Sequence, residues 1–368
     1  MDRTIIEEWI KADKPFVVFR EPGERCVKAI SANSLQALAD ISELKGHAGY
    51  VFAPFRPSDE FPIWLLPEEE VVTFTLGEEY DDVPEAPAPV PFCGGWFDYP
   101  SASYCRTFQT FKAALSGGDF EKLVLSRKVI IPLPTGFSWL NAFGVACKRY
   151  VHSYVSLFYA PQTGFWLGAT PEILLSGQEG RFQTVALAGT QVLSDECKMP
   201  HWSEKNKNEQ CLVTDFIADI LHASGTSPEI KGPITVTAGS LAHLKTEFNF
   251  VLQDETCLLS LLQALHPTPA VCGVEKSKAY EFIASQEGYD RSYYSGFLGQ
   301  YNPCGKTQLY VNLRCMNGDM SDHLCLYAGG GLLPTSVLEE EWLETERKLQ
   351  TMKYVIYKCT QIRKTSCN

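Results

Sequence analysis

A glycine run and a group of charged residues lie close together near the end of the chain. The glycines occupy 329–331, and Glu341 and Glu344 follow them. Because these two acids are three residues apart, a helix places both carboxylates on one face. Thr345 and Lys348 lie on that face about one turn further on. Two carboxylates, a hydroxyl and an ammonium beside bare glycine amides can hold a divalent cation together with an anion.

The residues before these acids predict where the helix begins. Ser336 followed by Glu339 fits a capping box, so we expect the helix to start there, after the end of a strand and a glycine loop. Glu339 is then a cap, and Glu340 suits the positive end of the helix dipole. The simpler interpretation of the whole stretch is an acidic first turn that faces solvent.

Two isolated residues have the chemistry of a base and an acid. Lys122 lies inside an apolar segment that predicts a strand. Burial lowers the pKa of a lysine toward the range of a useful base, whereas a lysine at a sheet edge guards against aggregation. Glu172 follows a turn containing Gly168 and Pro171, at the end of another apolar run. Its carboxyl is either a proton donor or an ordinary turn acid.

Further polar residues also have a structural and a functional interpretation. Glu209 lies on the polar side of an amphipathic helix, where it can form an i,i+4 pair with Lys205. Arg314 ends a predicted strand and Tyr294 begins one, and either side chain can bind a carboxylate. His243 lies among apolar neighbours, which is typical of a structural histidine.

Helical and extended patterns alternate in the segments that must position these residues. Apolar spacing predicts helices near 104–115, 138–150, 202–225, 257–265 and 276–286. Strands are expected near 121–131, 154–160, 164–167, 172–176, 181–188, 294–300, 307–313 and 324–328, with two more flanking Gly239. The strands come in antiparallel-looking pairs rather than in strict alternation with helices, so the predicted fold class is a layered α+β body.

The composition excludes several classes of protein. With 368 residues, 45% hydrophobic and 21% charged, the chain is typical of a soluble globular protein. A net charge of −12 argues against a nucleic-acid surface or an anionic membrane as partner. We find no apolar run of membrane-spanning length and no export signal. The 13 cysteines show no CxxC spacing, which disfavours zinc and disulfides and favours a cytoplasmic location.

The first part of the chain differs from the rest. It has strand-like runs at 15–19 and 49–53 but few candidates for chemistry, and acids and prolines between 78 and 91 suit an exposed connector. We therefore predict a variable N-terminal subdomain, residues 1–90, packed on a catalytic domain, residues 91–368.

Six motifs occur in a characteristic order: KLVLSR (122–127), GATPE (168–172), ALAGT (186–190), LHPTPAV (265–271), RSYYSG (291–296) and EWLETERK (341–348). Through them, residues 95–360 resemble the chorismate-utilising enzymes, which include isochorismate synthases, salicylate synthases and anthranilate synthase large subunits. The resemblance implies an α/β/β/α body with two large, mostly antiparallel sheets and the helices outside. It also implies chorismate as substrate and Mg²⁺ as cofactor.

The resemblance implies a role for each candidate residue. Lys122 matches the base that deprotonates an attacking water, and Glu172 matches the acid that protonates the departing C4 hydroxyl. The predicted Mg²⁺ ligands are Glu209, Glu341 and Glu344. The predicted substrate-binding residues are Gly189, Thr190, His243, Tyr294, Arg314, Gly329, Gly331 and Lys348.

Two positions distinguish among the relatives. Lys122 favours a member that adds water, and Ala270 resembles isochorismate synthases. The expected activity is an isomerase that converts chorismate to isochorismate, adding water at C2 with loss of the C4 hydroxyl. The alternative is a salicylate synthase, which also eliminates pyruvate. An ammonia-using anthranilate-type synthase and a non-catalytic carboxylate binder are ranked behind it.

The resemblance also carries expectations about partners, and the sequence departs from the family pattern at one position. No amidotransferase subunit is expected, and relatives that add water are often monomers. Menaquinone and siderophore pathways both stay open. Gln210 follows Glu209 where many members have a histidine, which puts in doubt a hydrogen bond that would support the metal ligand.

Overall fold

The architecture comes from a computed structural model, in which residues 4–77, 99–192, 202–238, 241–319 and 322–365 are described. The helices are α1 (Thr4–Lys11), α2 (Ala102–Ser116), α3 (Trp139–Arg149), α4 (Glu204–Ala223), α5 (Glu255–Leu265), α6 (Lys276–Gln286) and α7 (Leu338–Thr365). No described helix is long and apolar enough to span a membrane.

Seventeen strands are described. The first nine are β1 (Phe16–Arg20), β2 (Cys26–Ser31), β3 (Gln36–Leu38), β4 (Gly49–Ala53), β5 (Ile63–Leu66), β6 (Glu70–Thr75), β7 (Leu123–Pro132), β8 (Tyr154–Ala160) and β9 (Gly164–Thr170). The others are β10 (Ile173–Gln178), β11 (Arg181–Val192), β12 (Glu229–Ala238), β13 (Leu241–Val251), β14 (Phe297–Tyr301), β15 (Thr307–Val311), β16 (Cys315–Gly318) and β17 (His323–Leu332).

The strands form two sheets. One has eight strands in the order β6-β2-β1-β8-β9-β16-β17-β7, and the other has nine in the order β12-β13-β11-β10-β15-β14-β4-β5-β3. Neighbouring strands run antiparallel, for example β1 with β8 and β4 with β14. The predicted α+β class with two large antiparallel sheets is confirmed.

Aromatic side chains fill the space between the sheets, and helices cover the outer faces. Phe52 of β4 stacks on Phe158 of β8 with ring centres 4.3 Å apart. Apolar residues of α3 and α7 pack on the eight-stranded sheet, and those of α4 and α5 pack on the nine-stranded sheet. The layers therefore follow the order helix, sheet, sheet, helix, since each sheet buries both of its faces.

Residues 4–77 contribute strands to both sheets. Strands β1, β2 and β6 join the first sheet through β8, and β3, β4 and β5 join the second through β14. The acidic, proline-rich stretch predicted to be a connector falls within residues 78–98, outside the described residues. The division at residue 90 stays a prediction, and strands from both of its sides share each sheet.

Two local predictions near the glycine run were wrong. The glycines at 329–331 lie within β17, paired with residues 124–126 of β7, and not in a loop. Helix α7 begins at Leu338 instead of at Ser336, whose hydroxyl accepts a hydrogen bond from the Leu333 N–H at 3.0 Å. The tertiary pairing with β7 extends the strand through residues whose own propensity favours a loop.

The packing between the two sheets predicts that truncating a side chain buried there will lower the stability of the protein. Phe158 is fully buried against Phe52, so Phe158→Ala should lower the free energy of unfolding by about 3–5 kcal/mol. Ile130→Ala, at a position 58% exposed, should change it by less than about 1 kcal/mol. Urea unfolding followed by circular dichroism measures both values, and equal losses would contradict the inter-sheet packing.

Candidate active site

One cavity collects most of the predicted site residues. Its walls come from the glycine part of β17, from α7, from the bulge of β11 and from the turns before β10 and β16. The predicted residues that line it are Glu172, Gly189, Glu209, His243, Tyr294, Arg314, Gly329, Gly331, Glu344 and Lys348. Lys122 and Glu341 lie directly behind this lining. The side chain of Thr190 is outside the described part of the structure.

Lys122 lies immediately before β7 and is completely buried. Its Nζ is 3.2 Å from Oε1 of Glu209, an ion pair without hydrogen-bond alignment, and no hydrogen-bond partner of Nζ is found among the described residues. A lysine that guards a sheet edge must face water, so that interpretation does not apply here. The buried ammonium has donors available for a molecule that enters the cavity.

Glu172 occupies the turn between β9 and β10. Its backbone N–H donates to the hydroxyl of Thr170 at 3.2 Å, and its carbonyl accepts from the N–H of Val311 at 3.0 Å. The residue is only 4% exposed. Burial raises the pKa of the carboxyl to about 7, against the opposing fields of Lys122, Lys348 and others. Glu172 is therefore a carboxyl group that gains and loses its proton near neutral pH.

Strand β17 passes so close to the site residues that only glycine fits. A Cβ built on Gly331 would lie 2.2 Å from Oε1 of Glu209 and 2.9 Å from Cε of Lys122. One built on Gly329 would lie 2.9 Å from the Tyr294 hydroxyl oxygen. The absent side chains let the backbone of β17 form a wall of the cavity.

The register of β17 decides which glycine amides face the cavity. Gly329 lies opposite Ser126, and Gly331 lies opposite Val124. The N–H groups of Ser126 and Val124 both donate to acceptors outside the β7–β17 strand pair. These are non-hydrogen-bonded pairs, whose backbone groups point away from the partner strand. Accordingly, the Gly329 carbonyl accepts from Lys348 at 2.7 Å. Strand β16 pairs only with the first part of β17, so this edge is open beside the cavity.

Glu341 and Glu344 of α7 lie against the remaining glycine, Gly330. A Cβ on Gly330 would be 3.2 Å from Oε2 of Glu341 and 3.4 Å from Oε1 of Glu344. Glu344 accepts from Lys348 at 2.7 Å. Glu341 accepts from Lys205 through Oε1, while its buried Oε2 has no hydrogen-bond partner among the described residues.

Burial and the neighbouring charges give the two carboxyl groups different pKa values. Burial, followed by the charge of Glu344, raises the pKa of Glu341. Burial alone would also raise the pKa of Glu344, but Lys348 and Lys205 hold it below its usual range. The pKa values of these two neighbouring acids therefore shift in opposite directions.

Two predicted contacts of this group were wrong. Thr345 does not face the acids, since its hydroxyl accepts from Nε of Arg127 at 2.8 Å and donates to the Trp342 carbonyl at 2.7 Å. Lys205 pairs with Glu341 of α7 and not with Glu209 on its own helix. A local i,i+4 pair is worth a few tenths of a kcal/mol, so tertiary packing easily replaces it.

His243 orients Arg314 toward the cavity. Its Nδ1 lies 3.0 Å from the Gly189 carbonyl, and its Nε2 lies 3.3 Å from a guanidinium nitrogen of Arg314. Burial, followed by the charge of Arg314, lowers the pKa of His243 to about 3, so the ring is neutral. Nδ1–H then donates to Gly189, and Nε2 accepts from Arg314.

Arg314 and Tyr294 lie in turns and not at the strand ends where they were predicted. Arg314 lies between β15 and β16 with φ of 49°, and Tyr294 precedes β14, which begins at Phe297. The Tyr294 ring stacks on Tyr327 with centres 5.3 Å apart. Both polar groups thereby enter the cavity from turns that tertiary contacts hold in place.

Gln210 makes hydrogen bonds in the position where a histidine was expected. Its Oε1 accepts from the Ala188 N–H at 2.9 Å, and its Nε2 donates to the Ala186 carbonyl at 3.1 Å and to Thr246 at 3.0 Å. These bonds tie α4 to β11 next to Gly189, whose φ of 66° forms the bulge. The glutamine therefore supports the strand beside the cavity.

A buried ion pair fixes the strand behind Lys122. Arg291 binds the carboxylate of Glu287 at 2.5 and 2.6 Å and donates to the carbonyls of Val271 and Val124. Glu287 also accepts from the N–H and the hydroxyl of Ser126. The sequence motif at 291–296 gave no sign of this role, because the partners are far apart in the chain.

The three predicted metal ligands are each paired with a lysine. Glu209 contacts Lys122, and the two acids of α7 contact Lys205 and Lys348. Among the described residues, no group of three His, Cys, Asp or Glu side chains is arranged to hold a metal ion. The free, buried oxygen of Glu341 and the hard carboxylate oxygens nevertheless suit Mg²⁺. The metal site stays a prediction.

The raised pKa of Glu172 predicts a pH-dependent stability. Between about pH 4.5 and pH 7 the folded protein keeps a proton that the unfolded chain loses, so rising pH lowers the free energy of unfolding. Glu172→Gln cannot ionise and should gain up to about 3 kcal/mol relative to wild type across this range. Urea unfolding from pH 5 to 8 measures the gain. Exposed Glu340→Gln should show none, and a pH-independent effect of Glu172→Gln would refute the shift.

Comparisons with known proteins agree with this architecture. Isochorismate synthase EntC of Escherichia coli (strain K12) is 32% identical over 244 residues, which cover 63% of this chain and 61% of the relative. Isochorismate synthase DhbC of Bacillus subtilis (strain 168) is 29% identical over 255 residues, 65% of this chain and 64% of the relative. The chain thus spans less than two thirds of the length of these curated relatives.

A solved structure extends the similarity to the fold. MenF, the menaquinone-specific isochorismate synthase from Escherichia coli, superposes with a TM-score of 0.75 at 20% identity, covering 93% of this chain and 88% of that one. The family model described as chorismate binding enzyme matches residues 97–357. This match includes the cavity and every predicted site residue, and the chain belongs to the chorismate-binding enzyme family.

Proposed function

We propose that the protein is an isochorismate synthase, which converts chorismate to isochorismate with Mg²⁺. The observation that carries the proposal is that Glu172, whose pKa is raised to about 7, lines the cavity, with the buried Lys122 directly behind the lining. The reaction adds water at C2 and expels the C4 hydroxyl. It therefore needs a base for the water and an acid for the leaving group.

The proton transfers use these two side chains. Lys122 takes the proton of the attacking water, and its lack of aligned hydrogen bonds leaves Nζ available for that water. Glu172 gives its proton to the departing C4 oxygen. Its pKa of about 7 matches this role, because a general acid works best when its pKa lies near the operating pH.

Cationic and backbone groups bind the substrate carboxylates. Arg314, held by neutral His243, and the Tyr294 hydroxyl serve the enolpyruvyl carboxylate. The amides of Gly329 and Gly331 on the open edge of β17 offer donors at a fixed spacing. These groups are positioned before the substrate arrives, so binding costs little rearrangement.

Glu209, Glu341 and Glu344 would hold Mg²⁺, with Gly189 and Thr190 as backbone contacts to substrate. A bound Mg²⁺ neutralises the ring carboxylate and draws charge away from the ring. The acids on their own would repel a dianionic substrate, so Lys122, Lys205 and Lys348 offset their charge in the metal-free protein.

One residue favours release of isochorismate over its conversion to salicylate. Ala270 lines the cavity with a methyl group, where the relatives that go on to eliminate pyruvate tend to carry a hydroxyl. Salicylate synthase is the second candidate. Purified protein incubated with chorismate and Mg²⁺ should form isochorismate without stoichiometric pyruvate, as measured by chromatography and a coupled lactate dehydrogenase assay. Pyruvate equal to the chorismate consumed would establish the second candidate, and no turnover would refute both.

If Lys122 is the base, removing its side chain should slow the reaction without weakening substrate binding. Lys122→Ala should lower kcat about 100-fold or more, the usual contribution of a general base, while the dissociation constant for chorismate changes less than about threefold. Stopped assays and calorimetric titration measure the two quantities. Lys207→Ala, an exposed lysine on the same helix as Glu209, is the control and should leave both unchanged. A fully active Lys122→Ala variant would remove the base.

A further inference from the structure

Lys205 is the charged residue of this region that the proposed reaction does not use. It projects from the first turns of α4, and its ammonium donates to Glu341, a residue only 1% exposed. Within the described residues this is the ammonium's one hydrogen bond. The partner lies 136 positions away in the chain, so the contact joins α4 to α7.

The position of Lys205 relative to the acids is that of a bound cation. It pairs with Glu341, and it also interacts electrostatically with Glu344 and Glu209. One ammonium therefore interacts with all three predicted Mg²⁺ ligands.

The other two lysines are held more firmly than Lys205. Lys122 is completely buried, and Lys348 donates both to Glu344 and to the Gly329 carbonyl. The Lys205 side chain is 22% exposed, so its ammonium can return to water by rotation of its own flexible chain. Lys205 therefore has fewer hydrogen bonds to break than Lys348 and more contact with water than Lys122.

We propose that Lys205 is a displaceable counter-ion, which occupies the cation position between α4 and α7 until Mg²⁺ replaces it. This inference rests on the proposed role of the three acids as Mg²⁺ ligands. In the exchange, the ammonium–Glu341 hydrogen bond breaks, metal–carboxylate bonds form, and the ammonium becomes hydrated. Without metal, Lys205 keeps two neighbouring buried carboxylates compatible with folding. With metal, it competes, and the apparent affinity for Mg²⁺ falls by the cost of its displacement.

The test compares metal binding with metal-free stability in Lys205→Met, which keeps the length of the side chain without its charge. Calorimetric titration without substrate should give about tenfold tighter Mg²⁺ binding than wild type. The metal-free variant should melt at a lower temperature, and Mg²⁺ should raise its melting temperature more. Lys207→Met, an exposed neighbour paired with Glu204, should match wild type in all three measurements. If Lys205→Met does not fold, Lys205→Gln, which keeps a donor to Glu341, replaces it.

Glu344→Gln separates failure of this inference from failure of the metal site. If Mg²⁺ binds wild type and Glu344→Gln weakens it, but Lys205→Met binds no tighter, the counter-ion role is refuted and the metal site stands. Weaker binding by Lys205→Met would mean that Lys205 helps to form the site, which also refutes displacement. If neither wild type nor Lys205→Met binds Mg²⁺, both the inference and the metal site fail.

Discussion

Burying a carboxylate away from water costs several kcal/mol unless a cation faces it or it takes up a proton, and this cavity uses both solutions. Glu209, Glu341 and Glu344 each face a lysine. Glu172 has lysines only at longer range, and burial raises its pKa to about 7. Burial and the charge of Glu344 also raise the pKa of Glu341, although Lys205 faces it. The same environment thus gives chemically identical side chains different pKa values: that of Glu344 is held low, which suits a cation, and that of Glu172 is raised, which suits proton transfer.

This arrangement depends on an unusual piece of backbone. Strand β17 carries three successive glycines. A Cβ at Gly331 would collide with Glu209 and Lys122, one at Gly329 would collide with the Tyr294 hydroxyl, and one at Gly330 would be tight against Glu341. Because β16 is only four residues long, the cavity side of β17 keeps backbone groups free. The charged groups and the backbone donors therefore meet along a single strand edge, which the neighbouring sheet covers.

Much of the fold and most of the cavity lining could be predicted from the sequence. Periodic apolar residues located α2, α3, α4 and α6, and the order of the motifs located the side chains that line the cavity. The misses share one cause. Glycine propensity favoured a loop at 329–331, and local spacing favoured a pair between Lys205 and Glu209, but partners distant in the chain determine both. Single-sequence patterns contain no information on such pairings.

The strands before residue 77 have a consequence for biosynthesis. Strand β1 finds its later partner in β8, and β4 finds its partner in β14, which leaves the ribosome some 250 residues after it. Neither sheet can be completed until most of the chain has emerged, so unpaired, aromatic-rich strand edges wait in the crowded cell for the length of translation. At elongation rates of about 5–20 residues per second, this wait lasts on the order of ten seconds or more. Strands whose partners lie this far apart in the chain therefore expose aggregation-prone edges throughout synthesis.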